Sequence, residues 1–158
     1  MKKQTVYIES SVISYLTSKP SRDLIIASNQ QITTEWWMNA RKKFNCVISD
    51  FVTQEVSKGD SNAASLRLNN IKDLKILAIN NDINKLAIKY LKLLNIPEKS
   101  SIDAYHLALA IWYNVDFLMT WNCKHIANAI NIKILTQYNI ANNMGMPVIC
   151  TPQELLEV

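Results

Sequence analysis

Glycine is nearly absent from this 158-residue chain, which contains only Gly59 and Gly145. A loop that cradles phosphate groups needs several glycines close together, because its backbone must approach the phosphate closely. The sequence therefore excludes P-loop nucleotide-binding proteins and Rossmann-type dinucleotide-binding proteins.

Cysteine is also scarce, and the three cysteines, Cys46, Cys123 and Cys150, are odd in number and widely separated. This arrangement provides neither a disulfide framework nor a zinc signature. Cys46 and Cys150 lie in apolar runs and are expected to be small core residues. Cys123 is close to His125, but no second ligand pair is nearby, so we expect no closed four-ligand zinc site.

Long apolar runs are missing as well. No stretch of 18 or more apolar residues occurs, so no transmembrane helix is expected. Residues 1–5 lack the apolar core and cleavage site of a secretory signal. We expect a cytoplasmic protein without a membrane partner. Its net charge of +4 permits a polyanionic partner without requiring one.

The residues that are present favour one globular domain spanning 1–158, with 49% hydrophobic and 19% charged residues. Short strands are predicted at residues 6–8, 46–49, 74–79, 116–120 and 148–150. Helices are predicted directly after Glu9, at residues 23–44, from 50 to before 59, at 61–71, at 83–94, from 100 onward, and from about 123 to 143. Because strands and helices alternate, the sequence predicts an α/β sandwich with a mainly parallel sheet.

Acidic and amide side chains follow the predicted strands. Glu9 directly follows the first strand, and Asn122 directly follows the fourth. Glu55 lies on the helix after the second strand, and Asp103 lies in the first turn of the helix that precedes the fourth. A helix that precedes a parallel strand runs antiparallel to it, so these residues are expected at one edge of the sheet. This is the carboxyl edge, where open α/β sheets bind ligands. Asp116 falls at the opposite edge and is excluded.

Three carboxylates and a carboxamide in one pocket would repel one another without a cation. Oxygen ligands of this kind suit Mg²⁺ or Mn²⁺, and such ions are widely used to hydrolyse phosphodiesters. We therefore predict a catalytic site of Glu9, Glu55, Asp103 and Asn122, with the metal held by Glu9, Glu55 and Asp103.

Each of these residues also has a purely structural interpretation. Glu9 could simply favour the positive end of the next helix, and Glu55 could be an exposed helical residue. Asp103 could complete a capping box begun by Ser100. Asn122 could cap a helix that starts at residue 123. The prediction depends on their convergence and not on any single position.

Two histidines lie near the predicted site. His106 falls on a strongly apolar helix and is interpreted as a core histidine with satisfied hydrogen bonds. His125 and Lys124 are interpreted as part of a solvated helix start, with contact to a phosphate as the alternative.

The chain resembles the PIN-domain family in four segments, at residues 6–14, 48–56, 103–110 and 117–122. This resemblance implies a three-layer α/β/α fold with a five-stranded parallel sheet. It implies a metal-dependent ribonuclease, often the VapC-type toxin of a type II toxin–antitoxin pair. Glu9, Glu55 and Asp103 match the acidic metal-site positions. Ser11 matches the small hydroxyl residue that commonly supports the first acid.

Two positions depart from the family pattern, because Glu9 and Asn122 replace residues that are usually Asp. The additional methylene of Glu9 displaces its carboxylate by about 1.5 Å, the length of one C–C bond. Asn122 keeps a neutral oxygen but removes a charge, so affinity for a second metal ion is expected to fall.

The leading hypothesis is an Mg²⁺- or Mn²⁺-dependent endoribonuclease whose rim lysines contact RNA. The alternative is a catalytically weakened PIN-like module that binds RNA or a protein partner. An acid at the end of the first strand also occurs in haloacid-dehalogenase phosphatases and in receiver domains, but this sequence fits neither class. The phosphatases need a second acid where Ser11 stands. Receiver domains need an Asp after the third strand, where Asn80 and Asn81 stand.

Aromatic side chains suggest where a partner binds. The exposed parts of Trp36, Trp37, Trp112 and Tyr113 are predicted to form a surface for a homodimer or for a small antitoxin protein, with the alternative that all four belong to the core.

Overall fold

The computed structural model describes residues 2–157 and contains one five-stranded sheet. Its strands are β1 (Thr5–Ile8), β2 (Asn45–Ser49), β3 (Lys75–Leu77), β4 (Phe117–Met119) and β5 (Val148–Cys150). They are arranged in the order β3-β2-β1-β4-β5, and all four pairings are parallel. This confirms the predicted parallel sheet.

The described residues form seven α-helices, none of which is long and apolar enough to span a membrane. They are α1 (Ser10–Thr17), α2 (Leu24–Glu35), α3 (Asp50–Val56), α4 (Ser61–Ile71), α5 (Asn81–Leu93), α6 (Ser101–Trp112) and α7 (Ala129–Ala141). The predicted helix at 23–44 continues beyond α2 as a π-helical turn, Trp36–Ala40, and a 3₁₀ turn, Arg41–Lys43.

The strand order places the helices in two layers. The chain moves in one direction from β1 through β2 to β3, and in the opposite direction from β3 through β4 to β5. Because crossovers between parallel strands are right-handed, α1–α4 cover one face of the sheet and α5–α7 cover the other. Consistently, α1 packs against α2, α3 and α4, whereas α5 packs against α6 and α7. The three-layer α/β/α fold is confirmed.

The same strand order creates a crevice. The connections after β1 and after β4 leave toward opposite faces, although these two strands are neighbours in the sheet. Such a switch point opens a crevice beyond the carboxyl ends of the two strands, where ligands bind in open α/β sheets. Glu9 follows β1 at this crevice, and Thr120 follows β4.

The paired tryptophans belong to the core, as in the alternative given for them, and not to an exposed partner surface. Trp36 is completely buried and Trp37 is nearly so. The π-helical turn directs the Trp36 ring onto Phe44, with ring centroids 6.1 Å apart. By contrast, Trp112 and Tyr113 are 47% and 39% exposed.

The last long helix begins later than predicted, because two asparagines divide the segment. The Asn122 side-chain oxygen accepts a hydrogen bond from the His125 N–H, which closes a separate turn. Asn128 then adopts an extended backbone and accepts hydrogen bonds from the N–H groups of Ile130 and Asn131, so α7 starts at Ala129.

A buried hydrogen bond joins two helices of the α5–α7 layer. The Tyr90 hydroxyl donates to Oδ1 of Asn139 over 2.7 Å, and both residues are fully buried. Because Tyr90→Phe would leave that oxygen without a partner, we expect the free energy of unfolding to fall by about 1–2 kcal/mol. Urea denaturation measures this change.

Tyr138→Phe is the matched control. The Tyr138 ring packs edge-on against Tyr90, with 6.1 Å between the ring centroids. Its hydroxyl makes no hydrogen bond within residues 2–157, so its removal should cost less than about 0.5 kcal/mol. Equal losses in the two variants would show that the Tyr90–Asn139 bond contributes nothing.

Candidate metal centre

Glu9 places a carboxylate in the crevice beyond β1. Its backbone N–H donates to the Met119 carbonyl oxygen at 3.0 Å, which extends the pairing of β1 with β4 by one residue. Only 4% of Glu9 is exposed. A buried carboxylate requires hydrogen bonds or a positive partner, because its desolvation is costly. The surroundings of Glu9 provide both.

Two hydroxyl groups hold one oxygen of this carboxylate. Oε2 of Glu9 accepts hydrogen bonds from Thr120 Oγ1, at 2.6 Å, and from Ser11 Oγ. Each hydroxyl oxygen in turn accepts a backbone N–H from the loop after β4, from Asn122 to Thr120 at 2.9 Å and from Trp121 to Ser11 at 2.8 Å. Oε1 of Glu9 receives no hydrogen bond from the described residues, so it remains available to a ligand.

Glu55 approaches the same place from α3. Its Oε1 accepts a hydrogen bond from Ser10 Oγ, at 2.6 Å, and lies 2.7 Å from Nε2 of His106. The Glu55 side chain is 29% exposed, so it forms the solvent side of the site.

His106 also belongs to the site, although its position on an apolar helix gave no indication of this in the sequence. As predicted, it is fully buried and both ring nitrogens have partners. Its Nε2, however, faces both carboxylates and lies 3.9 Å from Oε1 of Glu9. Its Nδ1 lies 2.7 Å from the Tyr7 hydroxyl, which is 2.7 Å from Ser49 Oγ. A chain of hydrogen bonds thus runs from Glu55 into the core.

The charges in this cluster compensate one another. Burial lowers the pKa of His106, whereas the hydrogen bond to Glu55 and nearby negative charges raise it. Together these two raising effects exceed the effect of burial, so the pKa of His106 is above its usual value. Those charges belong to Glu9, Glu55 and Asp103. Burial raises the pKa of Glu55, but the contact with His106 and the hydrogen bond from Ser10 lower it below its usual value. Both shifts favour an ionised Glu55 beside a protonated imidazole.

One oxygen from each of Glu9 and Glu55 and one ring nitrogen of His106 lie within 4.8 Å of one another. Metal–ligand bonds to oxygen or nitrogen are about 2.1 Å long, so one ion can touch two atoms up to about 4.2 Å apart. The 3.9 Å between Glu9 Oε1 and His106 Nε2 lies within that limit. The 2.7 Å between Glu55 Oε1 and His106 Nε2 does so as well, so these three residues could hold a divalent cation.

Asp103 lies at the start of α6 but outside this group of three. Its Oδ2 is 2.6 Å from Nδ1 of His125. The Ser100 side chain makes no cap hydrogen bond, so the alternative of a capping box does not form. Asp103 is nevertheless close enough to His106 for its charge to raise the His106 pKa.

Asn122 lies beside the carboxylates and does not contact them directly. Its side-chain oxygen accepts the His125 N–H at 3.1 Å, and its own N–H donates to Thr120. His125 thus connects Asn122 with Asp103. The structure brings Glu9 and Glu55 together with His106, and it places Asp103 and Asn122 around His125 at the same edge.

The chain is similar in structure to a chain in the crystal structure of VapBC2 from Rickettsia felis. In that structure VapBC2 is bound to a DNA fragment from its own promoter. The TM-score is 0.53 with 13% sequence identity, and the match covers 94% of this chain and 98% of that chain. No protein-family model and no curated protein matches the sequence. At this identity the likeness establishes the fold, which is PIN-like, and not the activity.

The two hydroxyls on Glu9 generate a prediction about stability. Thr120→Val removes a donor to a buried carboxylate and the acceptor of the Asn122 N–H. We expect the free energy of unfolding of the metal-free protein to fall by about 2–3 kcal/mol. Thr120→Ser keeps the hydroxyl and loses one methyl group, at a cost of about 1 kcal/mol. Urea denaturation in EDTA that gave equal losses for the two variants would contradict this role of the hydroxyl.

Proposed function

We propose that this protein is a metal-dependent endoribonuclease that hydrolyses RNA phosphodiesters, and that it acts as the toxin of a type II toxin–antitoxin pair. The observation that carries the proposal is the convergence of Glu9 and Glu55 in the switch-point crevice of a PIN-like fold. These carboxylates come from separate elements, and each is oriented by neighbouring hydroxyl groups.

The proposed ligands of Mg²⁺ or Mn²⁺ are the carboxylates of Glu9, Glu55 and Asp103. When bound, the ion activates water for attack and stabilises charge on the phosphate and the leaving oxygen. Glu9 directs Oε1 into the crevice, because its other oxygen is fixed by hydroxyls. Asp103 retains Oδ1 for the ion while Oδ2 contacts His125. Asn122 orients the loop that carries His125.

Three exposed lysines are proposed to contact the RNA backbone at the rim of the crevice. Lys58 follows α3 and is close enough to Glu55 for its charge to help lower the Glu55 pKa. Lys99 lies just before α6, and Lys124 lies in the loop after β4, so both are at the carboxyl edge of the sheet.

The proposal includes a small antitoxin protein and a homodimer as partners. Apolar side chains at the start of α2 are unusually exposed, with Leu24 at 85% and Ile25 at 74%. Size-exclusion chromatography with light scattering tests self-association, and a strictly monomeric protein at all concentrations would exclude the homodimer.

The alternative is a catalytically weakened module that binds RNA or a protein partner. Two observations favour it: Glu9 stands where an Asp is usual in the family that the sequence resembles, and the Asn122 side-chain oxygen is already engaged by the His125 N–H. Glu9→Gln separates the hypotheses, because a binding module would retain RNA affinity and cellular effect in this variant.

Cleavage of labelled single-stranded RNA by the purified protein tests the nuclease proposal. We expect cleavage with Mn²⁺ or Mg²⁺, none with EDTA, and a rate at least about 100-fold lower in Glu9→Gln and in Asp103→Asn, since each removes a charged ligand. Asp82→Asn is the matched control, because Asp82 is exposed beside Trp112 at the far end of α6. Cleavage that persists in EDTA or in Glu9→Gln would contradict the proposal.

RNA binding tests the role of the rim lysines. The double variant Lys99→Gln/Lys124→Gln should bind single-stranded RNA more weakly and reduce the slope of log K against log salt by about 0.7 per lost phosphate contact. Lys85→Gln is the control, because Lys85 lies beside Trp112, away from the crevice. An unchanged salt slope in the double variant would show that RNA takes another path.

A further inference from the structure

We propose that His106 binds the metal ion directly through Nε2, so that the centre is a mixed nitrogen–oxygen site which prefers Mn²⁺ over Mg²⁺. This inference rests on the proposed function, because it concerns the ion of the same site. It differs from the carboxylate-only ligand set expected from the sequence.

The position of the ring supports direct coordination. Nε2 of His106 is 2.7 Å from Oε1 of Glu55 and 3.9 Å from Oε1 of Glu9. Among the His, Cys, Asp and Glu side chains of the described residues, no fourth one joins these three donors. Because the imidazole is fully buried, it has no route to turn Nε2 away from the carboxylates without disrupting the core.

The far side of the ring is also built for a metal ligand. Histidines that bind metals almost always use their second ring nitrogen in a hydrogen bond that fixes the tautomer and the ring orientation. Nδ1 of His106 meets the Tyr7 hydroxyl, and Tyr7 meets Ser49 Oγ. An N–H at Nδ1 can donate a hydrogen bond to the Tyr7 oxygen, and the Tyr7 hydroxyl can then donate to Ser49 Oγ. Nε2 is left with a lone pair for the ion.

Asp103 does not fill this position. Its Oδ2 is held by His125 at 2.6 Å, on the side of α6 where the loop after β4 lies. His106 follows Asp103 by three residues, close to one helical turn, so both lie on the same side of α6. The structure therefore presents an imidazole to Glu9 and Glu55, and His106 joins the proposed carboxylate ligands as an additional donor.

A nitrogen ligand changes which ion is favoured. Mg²⁺ is bound mainly by oxygen and retains water ligands, whereas imidazole is a common ligand of first-row transition ions, the class to which Mn²⁺ belongs. Loss of the imidazole should lower Mn²⁺ affinity more than Mg²⁺ affinity. We expect His106→Gln to reduce the ratio of Mn²⁺ to Mg²⁺ affinity by at least about tenfold.

Pulsed electron paramagnetic resonance of the Mn²⁺-loaded full chain tests the proposal without measuring activity. The chain contains two histidines, so His125→Gln leaves His106 as the sole source of an imidazole signal. We expect ¹⁴N modulation of the Mn²⁺ echo in the wild type and in His125→Gln, and its loss in His106→Gln. Incorporation of ¹⁵N-histidine into His125→Gln should convert the modulation to that of ¹⁵N, which keeps the test decisive if His106→Gln does not fold.

The outcomes separate this inference from the proposed function. One possible result is that Mn²⁺ binds the wild type, that binding requires Glu9, and that the Mn²⁺ echo shows no nitrogen modulation. This result would overturn coordination by His106 and leave the carboxylate site standing. Modulation lost in His125→Gln and retained in His106→Gln would also overturn it. Mn²⁺ binding that is absent, or unchanged in Glu9→Gln, would remove both proposals.

Discussion

A carboxylate buried at the end of the central strand is the constraint on which the rest of the site depends. Glu9 is almost inaccessible, and the nearby Glu55 brings a second negative charge into the same crevice. The protein meets this cost with two hydroxyls on one oxygen of Glu9, one hydroxyl on Glu55, and a buried imidazole between the carboxylates. In the absence of a metal ion, the raised pKa of His106 favours a protonated imidazole, which is the positive partner that buried carboxylates require.

The fold explains why these groups meet. Glu9 and Thr120 follow neighbouring strands at the switch point, so the loop after β4 can place its hydroxyl and backbone N–H groups beside the carboxylate. Glu55 arrives from α3, and His106 from α6, which begins at the same edge of the sheet.

Much of this arrangement could be predicted from the sequence, because it depends on local patterns and on topology. An apolar strand that ends in Glu9, alternating strands and helices, and right-handed crossovers were sufficient to predict the sheet and the edge at which the acids lie. The role of His106 could not be predicted, because a histidine on an apolar helix looks the same whether its Nε2 meets the core or a carboxylate. The late start of α7 could not be predicted, because residues 123–143 have a helical pattern and only hydrogen bonds that the Asn122 and Asn128 side-chain oxygens accept divide them.

A crystal structure of the wild-type protein soaked in Mn²⁺, with anomalous data collected at the manganese edge, would locate the ion. We expect one anomalous peak within bonding distance of Oε1 of Glu9, a carboxylate oxygen of Glu55 and Nε2 of His106. A peak bound only by Asp103 and the loop after β4, or no peak in the crevice at a concentration that saturates binding, would contradict it.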